Sequence, residues 1–253
     1  MQSRSRMVVP SLAVLFGSLA AFACSGSSGS VFQAGAIDGG AGLPASDASF
    51  LGDAASLLED ANQPPCPPAP VTTFTPTWKP PIAFHSGACS ATQMSGFFDA
   101  CLAGTSTTAG CTAFVQSNAT CAACLQSNES DSTYGPVIWH ASRTYYTTNI
   151  AGCIADEQGD AGATSCGAAY QAIIQCKETA CSACLTAQDP DFARYSACEG
   201  NAESECSSYV QTLETACGSS LKDASSPVAV CLPPSSDTSE QAYLALAPVF
   251  CGQ

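Results

Sequence analysis

The chain has 253 residues, only 11% of them charged, and its 21 acidic against 7 basic residues leave a formal charge of −14. Phosphate contacts need clustered Lys and Arg, so this balance excludes a nucleic-acid partner, and it equally excludes attachment to an anionic bilayer by charge. The other anomaly is 17 cysteines, an odd number in a chain with few large apolar residues.

Residues 1–23 read as a secretory signal. Arg4 and Arg6 precede an uncharged run from Met7 to Ala23, rich in Val, Leu, Ala and Phe and closed by the small-residue site "AFA". The run is shorter than the about 20 apolar residues of a transmembrane helix, and it carries Pro10, Ser11, Gly17 and Ser18. Cys24 follows at once, and "AAFAC" resembles the lipobox of bacterial lipoproteins, in which the cysteine is diacylated and becomes the first residue. The usual Leu is replaced by Ala21, and the bulky Phe22 comes next. With Cys24 carrying lipid, 17 − 1 = 16 cysteines remain, an even set able to form eight disulfides. Removal of the signal also takes away two cations, leaving 5 − 21 = −16.

From residue 24 to 64 the composition is chiefly Ser, Gly, Ala and Asp, as in "DGGAGLPASDAS". Such a segment cannot bury enough apolar surface to fold. It reads as a tether of about 40 residues with a reach of roughly 35 Å, taken as a flexible coil.

The folded part is expected over 65–253, as a small, mainly α, disulfide-rich helical domain with a short β-hairpin. It opens with "PPCPPAPVTTFTPTWKPP" (Pro64 to Pro81), too rich in proline for helix and therefore extended. Helical spacing of apolar residues then predicts segments over Thr92 to Leu102, Cys111 to Leu125, Thr164 to Lys177, Glu203 to Cys217 and Ser239 to Phe250, the third capped by Ser165 or Thr164. Between them, Tyr134 to Cys153 is aromatic and β-branched, and predicts a hairpin with strands Val137 to His140 and Thr144 to Thr148.

The sixteen cysteines of this part are Cys66, Cys89, Cys101, Cys111, Cys121, Cys124, Cys153, Cys166, Cys176, Cys181, Cys184, Cys198, Cys206, Cys217, Cys231 and Cys251. Export to an oxidising compartment favours disulfides, each contributing about 2–4 kcal/mol. Roughly two million pairings are open to sixteen cysteines, so the connectivity stays undetermined. A zinc reading rests on the knuckles Cys121-Ala-Ala-Cys124 and Cys181-Ser-Ala-Cys184, but 56 residues separate them. A thioredoxin-like centre needs its CxxC at a helix start after a strand, and here each follows a helical stretch. Covalent haem requires a histidine after CxxC, where the chain has Leu125 and Leu185. The two CxxC segments also form a weak internal repeat.

Hydrolytic signatures are sparse: there are two histidines, His85 and His140, and no G-x-S-x-G elbow. The carboxylates Asp156, Glu157 and Asp160, and likewise Asp189 and Asp191, read as solvated loops without the spacing of an EF-hand. One cluster has the composition of a ligand patch. Tyr134, Trp139, His140, Arg143, Tyr145 and Tyr146 bring aromatic and hydrogen-bonding groups into one hairpin, a mixture that recognises sugars or peptides when exposed and packs as core when not.

The signal with its cysteine, the tether, "PTWKPPIAFHSGACS" (Pro76 to Ser90) and the CxxC-rich helical body resemble the uncharacterised cysteine-rich lipoproteins of myxobacterial type. The resemblance spans most of the chain and implies an envelope location, with no family activity to place on any residue. Ser25 after the cysteine is similar to sorting signals for the outer membrane. The expected function is that of a structural or binding module held to the membrane by its lipid. It has no cofactor and an unknown protein or glycan ligand, and the alternative is an exported hydrolase or thiol oxidoreductase.

Overall fold

The computed structural model describes residues 66–140, 145–184, 193–234 and 236–252. The signal, Cys24 and the tether of the sequence reading lie outside them. Among the described residues the fold is mainly helical, with α1 Ala91–Phe97, α2 Thr108–Ser117, α3 Ala119–Leu125, α4 Ile150–Gln158, α5 Cys166–Ala180, α6 Ala193–Asn201, α7 Ser207–Cys217 and α8 Ser239–Cys251. A small sheet is built from β1 Gln126–Asn128, β2 Val137–His140 and β3 Tyr145–Thr148.

Side-chain caps set the helix starts. Ser90 with Gln93 and Thr238 with Gln241 form reciprocal capping boxes, while Thr107, Asn149 and Ser165 each accept the backbone N–H three residues on. Two expected helices are interrupted. The segment from Thr92 to Leu102 widens after Phe97 into a π-helical turn, Phe98–Leu102. Phe97 and Phe98, neighbours in sequence, are both buried, with ring centroids 6.2 and 5.8 Å from that of Tyr243. The expected helix from Cys111 to Leu125 starts earlier, at Thr108, and breaks at Asn118, whose side chain donates to the Phe114 carbonyl and accepts from Gln93 Nε2.

The hairpin pairs antiparallel as expected, with Trp139 opposite Tyr146 and His140 opposite Tyr145. The third strand was not expected: β1 pairs parallel with β2, Gln126 opposite Val137. Parallel neighbours usually need a long crossover. Strands of three or four residues span only about 10 Å, so residues 129–136 suffice for the return.

The core gathers on α8, where Tyr243, Leu246 and Phe250 have no exposed surface. A helix leaves its last four carbonyls without intrahelical partners. Here the segment after the proline-rich region supplies partners, for His85, Ser86, Gly87 and Cys89 donate to the carbonyls of Val249, Phe250, Gly252 and Cys251. His85 and Gly87 take positive φ (41° and 64°) along this run, and His85 is exposed.

All sixteen cysteines from Cys66 onward are paired, as Cys66–Cys184, Cys89–Cys121, Cys101–Cys111, Cys124–Cys251, Cys153–Cys231, Cys166–Cys217, Cys176–Cys206 and Cys181–Cys198. Neither CxxC closes on itself. In each, the first cysteine binds a partner 32 or 17 residues away and the second reaches across 127 or 118 residues to an end of the body. Thiols so committed form neither a redox dithiol nor a zinc knuckle. This density belongs to an oxidising, exported environment. No helix among the described residues is long and apolar enough to cross a membrane.

The proline-rich segment lies across the body as an extended strap. Its backbone partners are side chains of α5: Thr77 N–H donates to Gln175 Oε1, Gln175 Nε2 donates back to the Thr77 carbonyl, and Lys79 N–H donates to Gln171 Oε1. Residues i and i+4 share a helix face while i and i+2 share a strand edge, so two glutamines one turn apart match two alternate strap residues. Ala69 N–H donates to the Ala180 carbonyl, Tyr209 OH to Phe74, and Trp78 Nε1 to Ala161. At its far end Tyr134 N–H donates to the Pro80 carbonyl.

Candidate functional site

The sheet buries both of its faces. Val137 and Tyr146 point into the main core, with Trp139 half-buried beside them. On the opposite face Ser127, Ile138, His140 and Tyr145 are buried. Of the expected ligand patch, Tyr134, His140, Tyr145 and Tyr146 are thus at most 8% exposed, and Arg143 lies outside the described residues. The groups contact one another: the Trp139 and Tyr146 rings meet edge to face at 5.5 Å, and His140 stacks on Tyr145 at 4.6 Å. Trp139 Nε1 is held by Gln126 Oε1 at 2.9 Å. Burial pushes the phenols of Tyr134 and Tyr146 up to about 12, with Glu178, Glu129 and Asp131 adding to the effect at Tyr134.

The face turned away from the main core carries a relay that sequence reasoning missed. His140 Nδ1 lies 3.0 Å from Glu129 Oε2, and Nε2 lies 2.9 Å from Thr147 Oγ1. A carboxylate can only accept, so Nδ1 donates to Glu129, and in the neutral ring Nε2 then accepts from the Thr147 hydroxyl. Tyr134 OH and Lys79 Nζ both donate to the Glu129 backbone carbonyl. The hairpin register held the clue: Thr147 pairs with Ile138, two residues from His140 on the same face. Glu129 gave no such signal, because it enters from the return between β1 and β2.

No family model, curated protein or solved structure matches the chain. Roles therefore rest on the chemistry of its own residues.

The carboxylates of "ADEQGDAG" are not all solvated, as the sequence reading expected. Asp156 sits in α4, only 8% exposed, and its Oδ2 has no hydrogen-bond partner. Burial, and secondarily the neighbouring Glu157, push its carboxyl up to about 7. The expectation failed because α4, capped by Asn149, begins at Ile150, where the sequence still resembled hairpin, and its last turn carries Asp156 inward. Glu157 is half-buried, Asp160 is exposed, and Asp189 and Asp191 lie outside the described residues. Among the described residues no three His, Cys, Asp or Glu side chains are grouped to hold a metal.

Among the described residues, an open trough lies between the strap, α5 and α7. Cys166 at the start of α5 bonds Cys217 at the end of α7, and Cys176 bonds Cys206 just before α7, so the helices are pinned antiparallel at both ends. Gly167 lets α5 press against α4, since a Cβ there would meet the Ala151 carbonyl and come within 2.8 Å of Ala155 Cβ. The trough floor is correspondingly shallow-sided: Ala168, Ala169 and Ala172. Trp78 stands on one wall and Tyr209 on the other. Two hollows of about 350 Å³ each meet at Thr164 and Thr212, the second continuing along Ser208, Gln211 and Thr215. Among the described residues no charged side chain lines either.

Proposed function

We propose that this chain is an exported lipoprotein, anchored in the outer membrane through Cys24, whose stapled body is a binding module of the cell envelope. The observation that carries the reading is the closed set of eight disulfides. Every cysteine after Cys24 is used, so Cys24 is the odd one, and its place behind an apolar run and before a Ser/Gly tether suits an anchor. A body fixed at eight points gives up binding freedom in advance, which favours recognition by a preformed surface.

Mass spectrometry tests the anchor and the staples together. The N-terminal peptide should begin at Cys24 and carry diacylglycerol, and the oxidised body should be about 16 Da lighter than its reduced form, two hydrogens for each of eight bonds. A bare Cys24, or free thiols in the native protein, would remove the reading. Titration against fractionated envelope material tests the binding role.

The Glu129, His140 and Thr147 relay favours a second reading, an exported hydrolase. A carboxylate that orients an imidazole beside a hydroxyl is the arrangement of base-assisted nucleophilic catalysis. Its mark would be hydrolysis of a chromogenic ester that disappears in Thr147→Val and in His140→Gln while folding is kept. Equal rates in all three proteins would dismiss it.

A further inference from the structure

We propose that the trough between the strap, α5 and α7 binds a neutral oligosaccharide. The inference rests on the binding-module reading and names its ligand class. Three properties of the trough support it.

The first is charge. The chain as a whole carries −14, yet among the described residues none that lines the two hollows is charged. An anionic ligand would be repelled by the molecule and find no cation in the trough, and a cationic one would find no carboxylate to pair with. A neutral ligand meets neither penalty.

The second is the kind of groups on offer. Trp78 and Tyr209 supply half-buried aromatic walls held in place by hydrogen bonds, Trp78 Nε1 to the Ala161 carbonyl and Tyr209 OH to the Phe74 carbonyl, with the Tyr209 and Phe74 rings also packed edge to face. Thr164, where the two hollows meet, and Ser208 and Gln211 along the adjoining hollow add exposed hydroxyl and amide groups. Thr212 and Thr215 donate back to carbonyls of their own helix, which leaves their oxygens as acceptors. An aromatic and apolar hollow adjoining one lined by neutral donors and acceptors matches pyranose units, which have both a C–H face and a hydroxyl rim. An extended peptide fits less well. The Thr77 N–H, Thr77 C=O and Lys79 N–H of the adjacent strap are bonded to Gln175 and Gln171, and on its other edge Pro76 and Pro80 have no N–H to offer, so the strap is a poor template for strand addition.

The third is rigidity. Disulfides fix both ends of the α5 and α7 pair, and the glutamine side chains fix the strap, so the trough exists before any ligand arrives.

Only Trp78 and Trp139 contribute tryptophan emission, and they sit in different places, one in the trough and one on the sheet. The experiment titrates the full oxidised chain with neutral hexasaccharides of gluco, xylo, manno and chito type, with polygalacturonate and a proline-rich peptide as contrasts. Binding is read by tryptophan fluorescence and by calorimetry. At least one neutral hexasaccharide should bind saturably and change the emission, with Trp139→Phe behaving as the parent. Trp78→Ala should weaken binding about tenfold. Thr164→Arg, a change at an exposed position where the hollows meet, should weaken it at least as much without altering the melting temperature. The assignment is overturned if no neutral hexasaccharide binds, if the acidic polymer or the peptide binds better, or if Thr164→Arg leaves affinity unchanged. The same proteins are titrated against fractionated envelope material. Envelope binding that ignores Thr164→Arg removes the trough assignment and keeps the binding module; no binding to any material removes both.

Discussion

Asp156→Asn should make the protein more stable at neutral pH and less stable, by about 1–3 kcal/mol, at pH 4, where the buried carboxyl is already neutral and only the cost of the amide remains. The Asp156 carboxyl is pushed up to about 7 by burial, with Oδ2 lacking a partner, while in the unfolded chain it titrates near its ordinary value of about 3.9. Between pH 4 and 7 the folded protein therefore holds a proton that the unfolded chain has lost. Stability falls as pH rises through this window, by at most about 1.4 kcal/mol per unit and about 4 kcal/mol in all. Asparagine has nearly the same shape and no charge to desolvate, but its amide needs partners too, an offset of about 1–3 kcal/mol. The net gain at pH 8 should then be roughly 1–3 kcal/mol, a rise of several degrees in melting temperature. The assay is urea unfolding of both proteins with disulfides intact at each unit from pH 4 to 8. The other carboxylates are common to both and cancel in the difference. A difference independent of pH, or a loss of stability equal at every pH, would refute the burial argument.

Replacing both Gln171 and Gln175 by Ala should free the middle of the strap while Cys66–Cys184 stays closed. Proteases should then cut between Thr72 and Pro80 at least tenfold faster, and the melt should show a loss of about 2–3 kcal/mol for the three hydrogen bonds. Gly167→Ala forces a methyl against the Ala151 carbonyl and Ala155, and should destabilise by about 2–3 kcal/mol in denaturant unfolding. Removing Cys124–Cys251, which spans 127 residues, should reduce stability by up to about 5 kcal/mol, against about 3 for Cys101–Cys111 at a separation of 10. Chemical unfolding of the two double-serine variants would show the order.

What the sequence revealed was local periodicity. The strands from Val137 to His140 and near Tyr145 to Thr148 were legible because apolar and β-branched residues mark them, and α5 and α8 because their apolar faces repeat at helical spacing. β1 was invisible, since "QSN" has no alternation and pairs only because β2 lies alongside. The same holds for the break at Asn118, where a side chain rather than a pattern decides, and for α4, whose cap Asn149 follows a strand without a loop. The trough escaped notice for a different reason. Its walls come from Trp78, Thr164 and Tyr209, far apart in the chain, and its floor from alanines that carry no functional signature. The patch that composition singled out instead turned inward, because residues with large buried area are what a small sheet needs to stay closed.

The Cys66–Cys184 bond also decides where mechanical load enters the protein. Tension on the chain ahead of Cys66 passes through sulfur into the turn Ser182–Cys184, which Cys181–Cys198 joins in turn to α6. The strap from Pro67 to Pro81 is bypassed and carries none of it. A molecule pulled from that end would therefore keep its Thr77 and Lys79 contacts at forces that peel an unclasped strap away, and reduction of this one bond would move the load onto hydrogen bonds to Gln171 and Gln175.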